Sequence, residues 1–305
     1  MAECVDLTVE VGQVKLKNPL IAASGCFGFG READAFMDIS TLGGIAAKAV
    51  TREVRRGNEP VRVAETASGM LNAVGLQNPG IQRYLTDELP FMEDKDVFII
   101  QNIAGDTVED YVELAKRLKP TSIPVLEMNL SCPNVAHGLS FGADPVLIKE
   151  VVTAVRSVWD RALWVKLTPN ITSIVDAASA AKEAGADAVC LINTLLGMAI
   201  DVKTRRPVIR NNTGGLSGPA VKPVALRMVS EIYRQVDIPI VGMGGIMSAT
   251  DVIEFMLAGA SAVQIGTANL IHPTIMPRIL SDLEHWLEEE GIMDISSLTG
   301  TLELW

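Results

Sequence analysis

The stretch Val125-Leu-Glu-Met-Asn-Leu-Ser-Cys-Pro-Asn134 contains the pattern on which the predicted fold depends. A short apolar run, residues 125–130, leads directly into a polar turn that carries a thiol, a hydroxyl and an amide. Short continuous apolar runs are typical of strands buried on both faces of a parallel sheet. The thiol of Cys132, beside Asn129 and Asn134, is suited to proton transfer or nucleophilic catalysis. Taken alone, a single cysteine is more often a buried structural residue, so this assignment depends on the rest of the chain.

The same pattern of apolar strand, polar tip and helix recurs along the sequence. Eight strands are predicted, at residues 19–23, 44–47, 97–101, 125–128, 163–165, 188–191, 239–241 and 262–265. Between several of them lie amphipathic helices, predicted at residues 107–118, 145–158, 174–184 and 249–257. Eight such units in one domain, residues 1–305, predict a (β/α)₈ TIM barrel with its active-site groups at the carboxyl ends of the strands.

Three further segments do not fit a plain barrel. Residues 5–11 and 14–16 around Gly12-Gln13 predict a hairpin, which we expect to plug the bottom of the barrel. The connections at 50–96 and 195–238 are longer than a plain link between a strand and a helix. We expect them to fold over the active site as lids or to carry extra strands.

The residues at the predicted strand ends indicate one polar site. They are Ser24, Lys48, Asn102, Asn129, Lys166, Asn193, Thr194, Gly244, Gly245, Gly266 and Thr267. Lysines and asparagines are costly in a core unless they are paired. The glycine pairs after the seventh and eighth strands predict a backbone cradle for the phosphate of a cofactor. Lys166 could stabilise negative charge on the ring of that cofactor, or it could form a structural ion pair with a carboxylate such as Glu127.

Composition excludes several classes of protein. The formal net charge of −11 argues against nucleic acid or an anionic membrane as a main partner. The four cysteines form no C-x-x-C pair and there are three histidines, so neither a disulfide scaffold nor a metal site is expected. The acidic amino terminus is no signal peptide, and no long apolar run predicts a membrane span, so a cytoplasmic location is expected. The segment from Gly28 to Ala33 mimics a dinucleotide fingerprint, but inside the first unit of a barrel it is better interpreted as a loop.

Four motifs together resemble the dihydroorotate dehydrogenases, which are FMN-dependent (β/α)₈ enzymes of pyrimidine biosynthesis. They are Ser131-Cys-Pro-Asn134, Lys166-Leu-Thr-Pro169, Gly242-Met-Gly-Gly-Ile246 and Gln264-Ile-Gly-Thr-Ala268. A cysteine at position 132 is similar to class 1 enzymes, whereas the membrane-linked class 2 enzymes have serine. The segments at residues 193–201 and 214–219 resemble the class 1B catalytic subunit. Such a subunit binds one FMN and works with a partner that carries FAD and a [2Fe–2S] cluster and passes electrons to NAD⁺. Two of each subunit form a heterotetramer around a catalytic homodimer.

The resemblance also implies the roles of individual residues. Cys132 would be the catalytic base. FMN would contact Ser24, Lys48, Ala49, Asn102, Asn129, Lys166, Ile192, Gly218, Gly244, Gly245, Gly266 and Thr267. Dihydroorotate would contact Lys48, Asn72, Ala73, Val74, Gly75, Leu76, Asn129, Asn193 and Thr194. No metal site is implied.

Three alternatives remain open on the sequence alone. The first is a class 1A enzyme that passes electrons to fumarate, which the 194–219 segment disfavours. The second is a related flavin reductase that acts on pyrimidine bases. The third is a barrel without catalytic activity that only binds a partner. Such a scaffold is expected to have lost some of the polar ring, whereas this chain keeps Cys132 and both lysines.

Overall fold

A closed barrel of eight parallel strands forms the centre of the computed structural model, which describes residues 5–130 and 141–305. The strands in chain order are β1 (Val9–Val11), β2 (Val14–Leu16), β3 (Leu20–Ala22), β4 (Gly44–Ala46), β5 (Val63–Thr66), β6 (Gly69–Asn72), β7 (Ile99–Ile103), β8 (Val125–Asn129), β9 (Ala162–Lys166), β10 (Ala188–Leu191), β11 (Leu195–Gly197), β12 (Ile200–Asp201), β13 (Arg206–Pro207), β14 (Gly214–Ser217), β15 (Ile240–Met243) and β16 (Ala262–Ile265). The barrel runs β3-β4-β7-β8-β9-β10-β15-β16 and closes back on β3. The predicted (β/α)₈ fold is therefore confirmed.

Helices follow the barrel strands and cover the outside. The α-helices are α1 (Arg31–Asp34), α2 (Gly80–Arg83), α3 (Leu89–Asp94), α4 (Val108–Leu118), α5 (Pro145–Arg156), α6 (Ile174–Glu183), α7 (Lys222–Gln235), α8 (Ala249–Leu257), α9 (Thr267–Ile271) and α10 (Ile275–Glu290). A π-helical segment, Tyr84–Glu88, joins α2 to α3. Short 3₁₀ helices cover Ile39–Thr41, Phe141–Ala143, Pro219–Val221 and Ile295–Leu298.

Side-chain caps set the starts of the helices that the sequence predicts. Thr107 and Asp110 form a reciprocal capping box at α4. Asp144 accepts a hydrogen bond from the backbone N–H of Val146 at α5, which has proline at its first position. Because such caps are visible in the sequence, the predicted starts agree with the structure to within one residue. The predicted ends are less accurate, and α5 ends at Arg156, two residues before the predicted end at 158.

The amino-terminal hairpin lies at the amino ends of the barrel strands, as predicted. A Cβ atom on Gly12, at its tip, would be 3.3 Å from the carbonyl oxygen of Asp187, the residue just before β10. The hairpin buries Val9, Val11 and Leu16. Its first strand is shorter than the predicted segment 5–11, because Asp6 forms an isolated bridge with Asp294 instead of continuing β1.

The two long connections contain extra strands that pair with each other. β5 and β6 come from the first connection, and β11 and β14 come from the second. They form an antiparallel sheet in the order β11-β14-β6-β5, with Asn72 opposite Gly215. Both connections leave from carboxyl ends of barrel strands, β4 and β10, so this sheet stands at the face where active sites of TIM barrels are found.

Candidate active site

The loop glycines after β15 lie against Gly218, which follows β14, and against the start of α7. A Cβ atom on Gly245 would be 2.8 Å from the carbonyl oxygen of Gly218, and one on Gly244 would be 3.2 Å from Cγ1 of Ile192. A Cβ on Gly218 would be 3.5 Å from Cγ2 of Thr267, at the start of α9. The structure thus brings five of the predicted cofactor-binding residues together.

This cluster fits the phosphate of a cofactor. Gly218, Gly244 and Gly245 have φ values of 97°, 125° and 79°, which side-chain-bearing residues rarely adopt. The absence of side chains leaves backbone N–H groups accessible, and such groups bind phosphate well at the end of a barrel. The hydroxyl of Thr267 lies 2.9 Å from that of Ser217, which adds polar groups to the same place. Gly266 is less constrained, because a Cβ there would make ordinary contacts, 3.4 Å from Sγ of Cys26.

Two lysines and a thiol lie close enough together to influence one another. Burial lowers the pKa of Lys48, and the charges of Lys166 and Arg62 lower it further. Burial raises the pKa of the Cys26 thiol, although Lys166 and Lys48 partly oppose this shift. Cys26 was not predicted as a site residue. It was missed because it lies in the first loop outside any recognised motif.

Lys166 is nearly buried, with 6% of its surface exposed, at the carboxyl end of β9. In the described parts of the chain it takes part in no ion pair. The alternative of a structural ion pair with Glu127 is therefore wrong. The carboxylate of Glu127 is instead occupied by neutral donors. The positive charge of Lys166 consequently remains available to a ligand.

A buried carboxylate connects opposite strands inside the barrel. The side-chain amide of Asn102 donates to Oε1 of Glu127 over 2.5 Å, and the amide of Gln264 donates to Oε2. The thiol of Cys190 lies near this carboxylate: burial raises the pKa of the thiol, and the charge of Glu127 raises it further. Among the described residues, Oδ1 of Asn102 and Oε1 of Gln264 have no hydrogen-bond partner. Two free acceptors beside a lysine fit a heterocyclic ring that carries N–H groups.

The amides of β8 and β10 also meet. Asn193 donates to Oδ1 of Asn129 over 3.2 Å, and Oδ1 of Asn193 accepts from the backbone N–H of Thr194 over 2.8 Å. The hydroxyl of Tyr111 donates to the backbone carbonyl of Asn129 over 2.6 Å, which anchors the end of β8. Paired amides in this arrangement can bind both carbonyl and N–H groups of a planar ligand.

The loop at residues 72–76 is held in place by asparagines on both sides. Asn58 donates to the carbonyl of Ala73 over 2.9 Å, and Asn78 donates to that of Leu76 over 2.7 Å. Leu76 has a φ of 53°, which such bonds stabilise. Asn72 donates to the carbonyl of Gly215 over 3.3 Å, so the loop lies beside the chain that leads to Gly218.

The remaining predicted residues fall into two groups. Ser24 and Ala49 follow β3 and β4 at the same face, the first half-buried and the second buried. Cys132, with Ser131 and Asn134, lies outside the described residues, so its role stays a prediction. Gln264 was missed, and Glu127 was considered only as a partner of Lys166. Alternate residues of a strand point to the same face, so residues 125, 127 and 129 of β8 share one face. This pattern could have shown that Glu127 lies on the same face as Asn129.

Three other expectations concern the fingerprint mimic, metal ligands and membrane-spanning helices. The glycines of the fingerprint mimic, Gly28 and Gly30, precede α1, which has four residues and is too short for the long helix of a dinucleotide fold. Within residues 5–130 and 141–305, no group of three or more candidate metal ligands occurs. No helix in those ranges is long and apolar enough to cross a membrane.

Comparison with known proteins is consistent with this geometry. The family model for dihydroorotate dehydrogenase matches residues 6–287. The chain is 55% identical over 296 residues to a protein of Anoxybacillus flavithermus, covering 96% of this chain and 95% of the relative. It is also 51% identical over 294 residues to one of Listeria welshimeri, covering 96% and 97%. Both relatives are named dihydroorotate dehydrogenase B (NAD(+)), catalytic subunit.

Proposed function

Because the chain belongs to the dihydroorotate dehydrogenase family, we propose that it oxidises (S)-dihydroorotate to orotate in the de novo synthesis of pyrimidines. The observation that carries this proposal is the match over residues 6–287, in a chain whose strand ends bring lysines, amides and glycines to one face. The relatives at 51–55% identity carry the NAD(+)-linked name, which favours class 1B over the fumarate-linked alternative.

The cofactor proposed is FMN, one per chain. The residues that would hold it are Ser24, Lys48, Ala49, Asn102, Asn129, Lys166, Ile192, Gly218, Gly244, Gly245, Gly266 and Thr267. The glycines and Thr267 would bind its phosphate, since they form the cluster with accessible backbone. FMN, when bound, supplies the acceptor for the hydride that leaves C6 of dihydroorotate. Lys166 would stabilise negative charge on the ring, which a nearly buried cation does more strongly than one in water.

The proposed substrate site lies on the adjoining side of the bowl. The residues that would contact dihydroorotate are Lys48, Asn72, Ala73, Val74, Gly75, Leu76, Asn129, Asn193 and Thr194. Lys48 would bind the carboxylate, and the paired amides of Asn129 and Asn193 would bind the ring. The asparagine-anchored loop at 72–76 limits the orientations that the substrate can adopt, which favours a reactive geometry.

Cys132 would take the proton from C5 of the substrate. In the sequence it lies three residues after Asn129, whose amide is proposed to bind the ring. A thiolate is an effective base when it is held beside the proton it removes.

The proposed electron acceptor is NAD⁺, reached through a partner subunit. The relatives are named as catalytic subunits, which implies a second subunit in their enzymes. For this chain we propose a partner carrying FAD and a [2Fe–2S] cluster, in a heterotetramer of two of each around a catalytic homodimer. The four cysteines of this chain form no C-x-x-C pair of the kind that holds such a cluster, which supports placing the cluster on the partner.

The test is anaerobic reduction of the purified flavoprotein. We expect about one FMN per chain and loss of the visible flavin absorbance when (S)-dihydroorotate is added, with orotate formed in equal amount. Reduction by dihydrouracil but not by dihydroorotate would favour the flavin reductase. A preparation that binds no flavin would favour the scaffold.

A further inference from the structure

The carboxylate of Glu127 lies in the centre of the barrel, and the mechanism above gives it no role. Its side chain is fully buried. Glu127 belongs to β8 and Gln264 to β16, and three strands separate them along the barrel in either direction. The hydrogen bond between these two residues therefore crosses the barrel interior. On its other oxygen, Glu127 is bonded to Asn102 of the neighbouring strand β7.

Both carboxylate oxygens of Glu127 accept hydrogen bonds, and this sets the orientation of both amides. The nitrogen atoms of Asn102 and Gln264 must face Glu127, so their oxygen atoms face away from it. Those two oxygen atoms are the ones without a partner among the described residues. A buried acceptor without a partner costs free energy, which a ligand with an N–H group recovers on binding.

We infer that Glu127 is a positioning residue: it holds the amide of Asn102 so that its oxygen, and not its nitrogen, is presented to the flavin ring. This inference rests on the proposed function only for the identity of the ring. The isoalloxazine carries an N–H donor, which an acceptor on the protein can bind. Glu127 also places a negative charge near Cys190, where it adds to the rise in the pKa of that thiol caused by burial, while the charge of Lys166 opposes the rise.

The variant Glu127→Gln tests this, because it keeps the volume and replaces one oxygen by a donating amide. That new donor requires an acceptor, so the amide of Asn102 or of Gln264 must turn over. We expect FMN to bind about tenfold more weakly, the effect of roughly one hydrogen bond. We expect the reduction potential to rise, because the flavin loses an acceptor and a nearby negative charge, both of which disfavour the electron-rich reduced ring. A tenfold difference between the redox states corresponds to about 30 mV for two electrons.

Exchanging the amide and the carboxylate between positions 102 and 127 should restore FMN binding. In the double variant Asn102→Asp with Glu127→Gln, the amide at 127 donates to the carboxylate at 102, which keeps a free oxygen for the ring. FMN affinity and potential should return toward the wild-type values. Glu150→Gln, on the exposed side of α5, is the control for the same chemical change and should alter neither.

FMN affinity and potential are both measured without dihydroorotate, by titration of flavin into apoprotein and by redox dyes. A wrong substrate assignment would therefore leave this test intact. A folded Glu127→Gln protein with wild-type affinity and potential would overturn the inference. If the single variant does not fold, the double variant decides: a folded double variant with an altered potential would also overturn it.

Discussion

The two lysines of this bowl keep their charges available because neither forms an ion pair with a described carboxylate. Lys48 and Lys166 form no ion pair in the described parts of the chain, and the buried carboxylate of Glu127 accepts hydrogen bonds from two side-chain amides. Two unpaired cations in a largely buried site are costly to the folded protein. Such a cost is typical of binding sites, where an anionic ligand or a ring that gains charge compensates for it.

The lowered pKa of Lys48 leads to a prediction about pH. Burial shifts the pKa of Lys48 below its ordinary value of 10.5, so its charge is lost at a lower pH than that of a free lysine. The affinity for orotate, an anion, should therefore fall as the pH rises through this lowered pKa. Perturbation of the flavin spectrum by orotate, titrated between neutral and alkaline pH, measures it.

Lys48→Arg is the matched comparison, because arginine stays protonated throughout this range. Its orotate affinity, even if weaker overall, should show a flatter dependence on pH. The same alkaline loss of affinity in both proteins would assign the titration to another group.

Cys132→Ala tests the proposed base. Reduction of bound FMN by dihydroorotate should slow about 10²–10⁴-fold, the usual contribution of a positioned base, whereas FMN content should not change. Stopped-flow bleaching of the flavin measures the rate. Cys4→Ala, which removes a thiol far from the Ser-Cys-Pro-Asn motif in the sequence, should reduce its flavin at the normal rate. Normal reduction in the Cys132 variant would contradict the assignment.

At the scale of elements, local sequence patterns were sufficient to predict the strands of the barrel. They were insufficient to predict how the strands of the four-stranded sheet pair. The apolar runs that end at residues such as Asn129 and Lys166 predicted the strands, because burial on both faces leaves a continuous apolar pattern. The four-stranded sheet over the bowl was predicted only as extra strands. β6 and β14 are separated by more than a hundred residues, and their pairing depends on backbone bonds that have no residue-specific signal.

The contact between α7 and α8 beside the glycine cluster includes two partly buried ion pairs of Lys222, one with Asp251 and one with Glu254 over 2.8 Å. Lys222 lies 2.5 Å from Asp251, which also accepts from the backbone N–H of Met247 over 2.8 Å. Burial alone would raise the pKa of Asp251, but these bonds and the charge of Lys222 outweigh it and lower the pKa below 3.8. The stabilisation is thus fully present above the unfolded pKa and is lost as the pH falls through the lower folded one.

Asp251→Asn should therefore reduce the free energy of unfolding by about 2–3 kcal/mol at neutral pH, since it removes a charged hydrogen-bond partner. The deficit relative to wild type should be smaller at an acidic pH below the ordinary aspartate value of 3.8, because the wild-type carboxylate loses its contribution there. Urea denaturation at both pH values measures it. Glu231→Gln, which removes an exposed pair with Arg227, should cost about 0.5 kcal/mol or less. An equal deficit for Asp251→Asn at both pH values would contradict the linkage.

At the scale of the whole molecule, the sequence predicted which polar residues come to one face of the barrel but not how they contact one another. Strand order alone brings Asn102, Lys166 and the glycines to one face, because all carboxyl ends of a parallel barrel meet there. The hydrogen bond that Gln264 donates to Glu127 crosses the barrel. Its geometry depends on the closing of the sheet into a barrel and not on any local sequence pattern. For the same reason an ion pair between Glu127 and Lys166 stayed open as an alternative on the sequence alone, whereas in the structure Glu127 accepts from amides.

We expect electrons to leave the flavin of this chain through a partner subunit and not by direct transfer to NAD⁺. The chain has no convincing dinucleotide fingerprint, since the mimic from Gly28 to Ala33 leads into a helix of four residues. A nicotinamide must approach a flavin closely to accept a hydride, and a ring held inside the bowl with orotate on one face leaves little room. Purified with FMN, the chain should oxidise dihydroorotate with artificial dyes and should reduce NAD⁺ slowly or not at all.

Addition of the proposed FAD and iron–sulfur subunit should restore NAD⁺ reduction, because electrons can then travel over a chain of centres instead of requiring direct contact. The same subunit with its cluster removed is the control, and it should bind without restoring the activity. Rapid reduction of NAD⁺ by the isolated chain would contradict the division between two subunits. Rapid turnover with fumarate would instead favour the class 1A enzyme, in which the catalytic chain needs no second subunit.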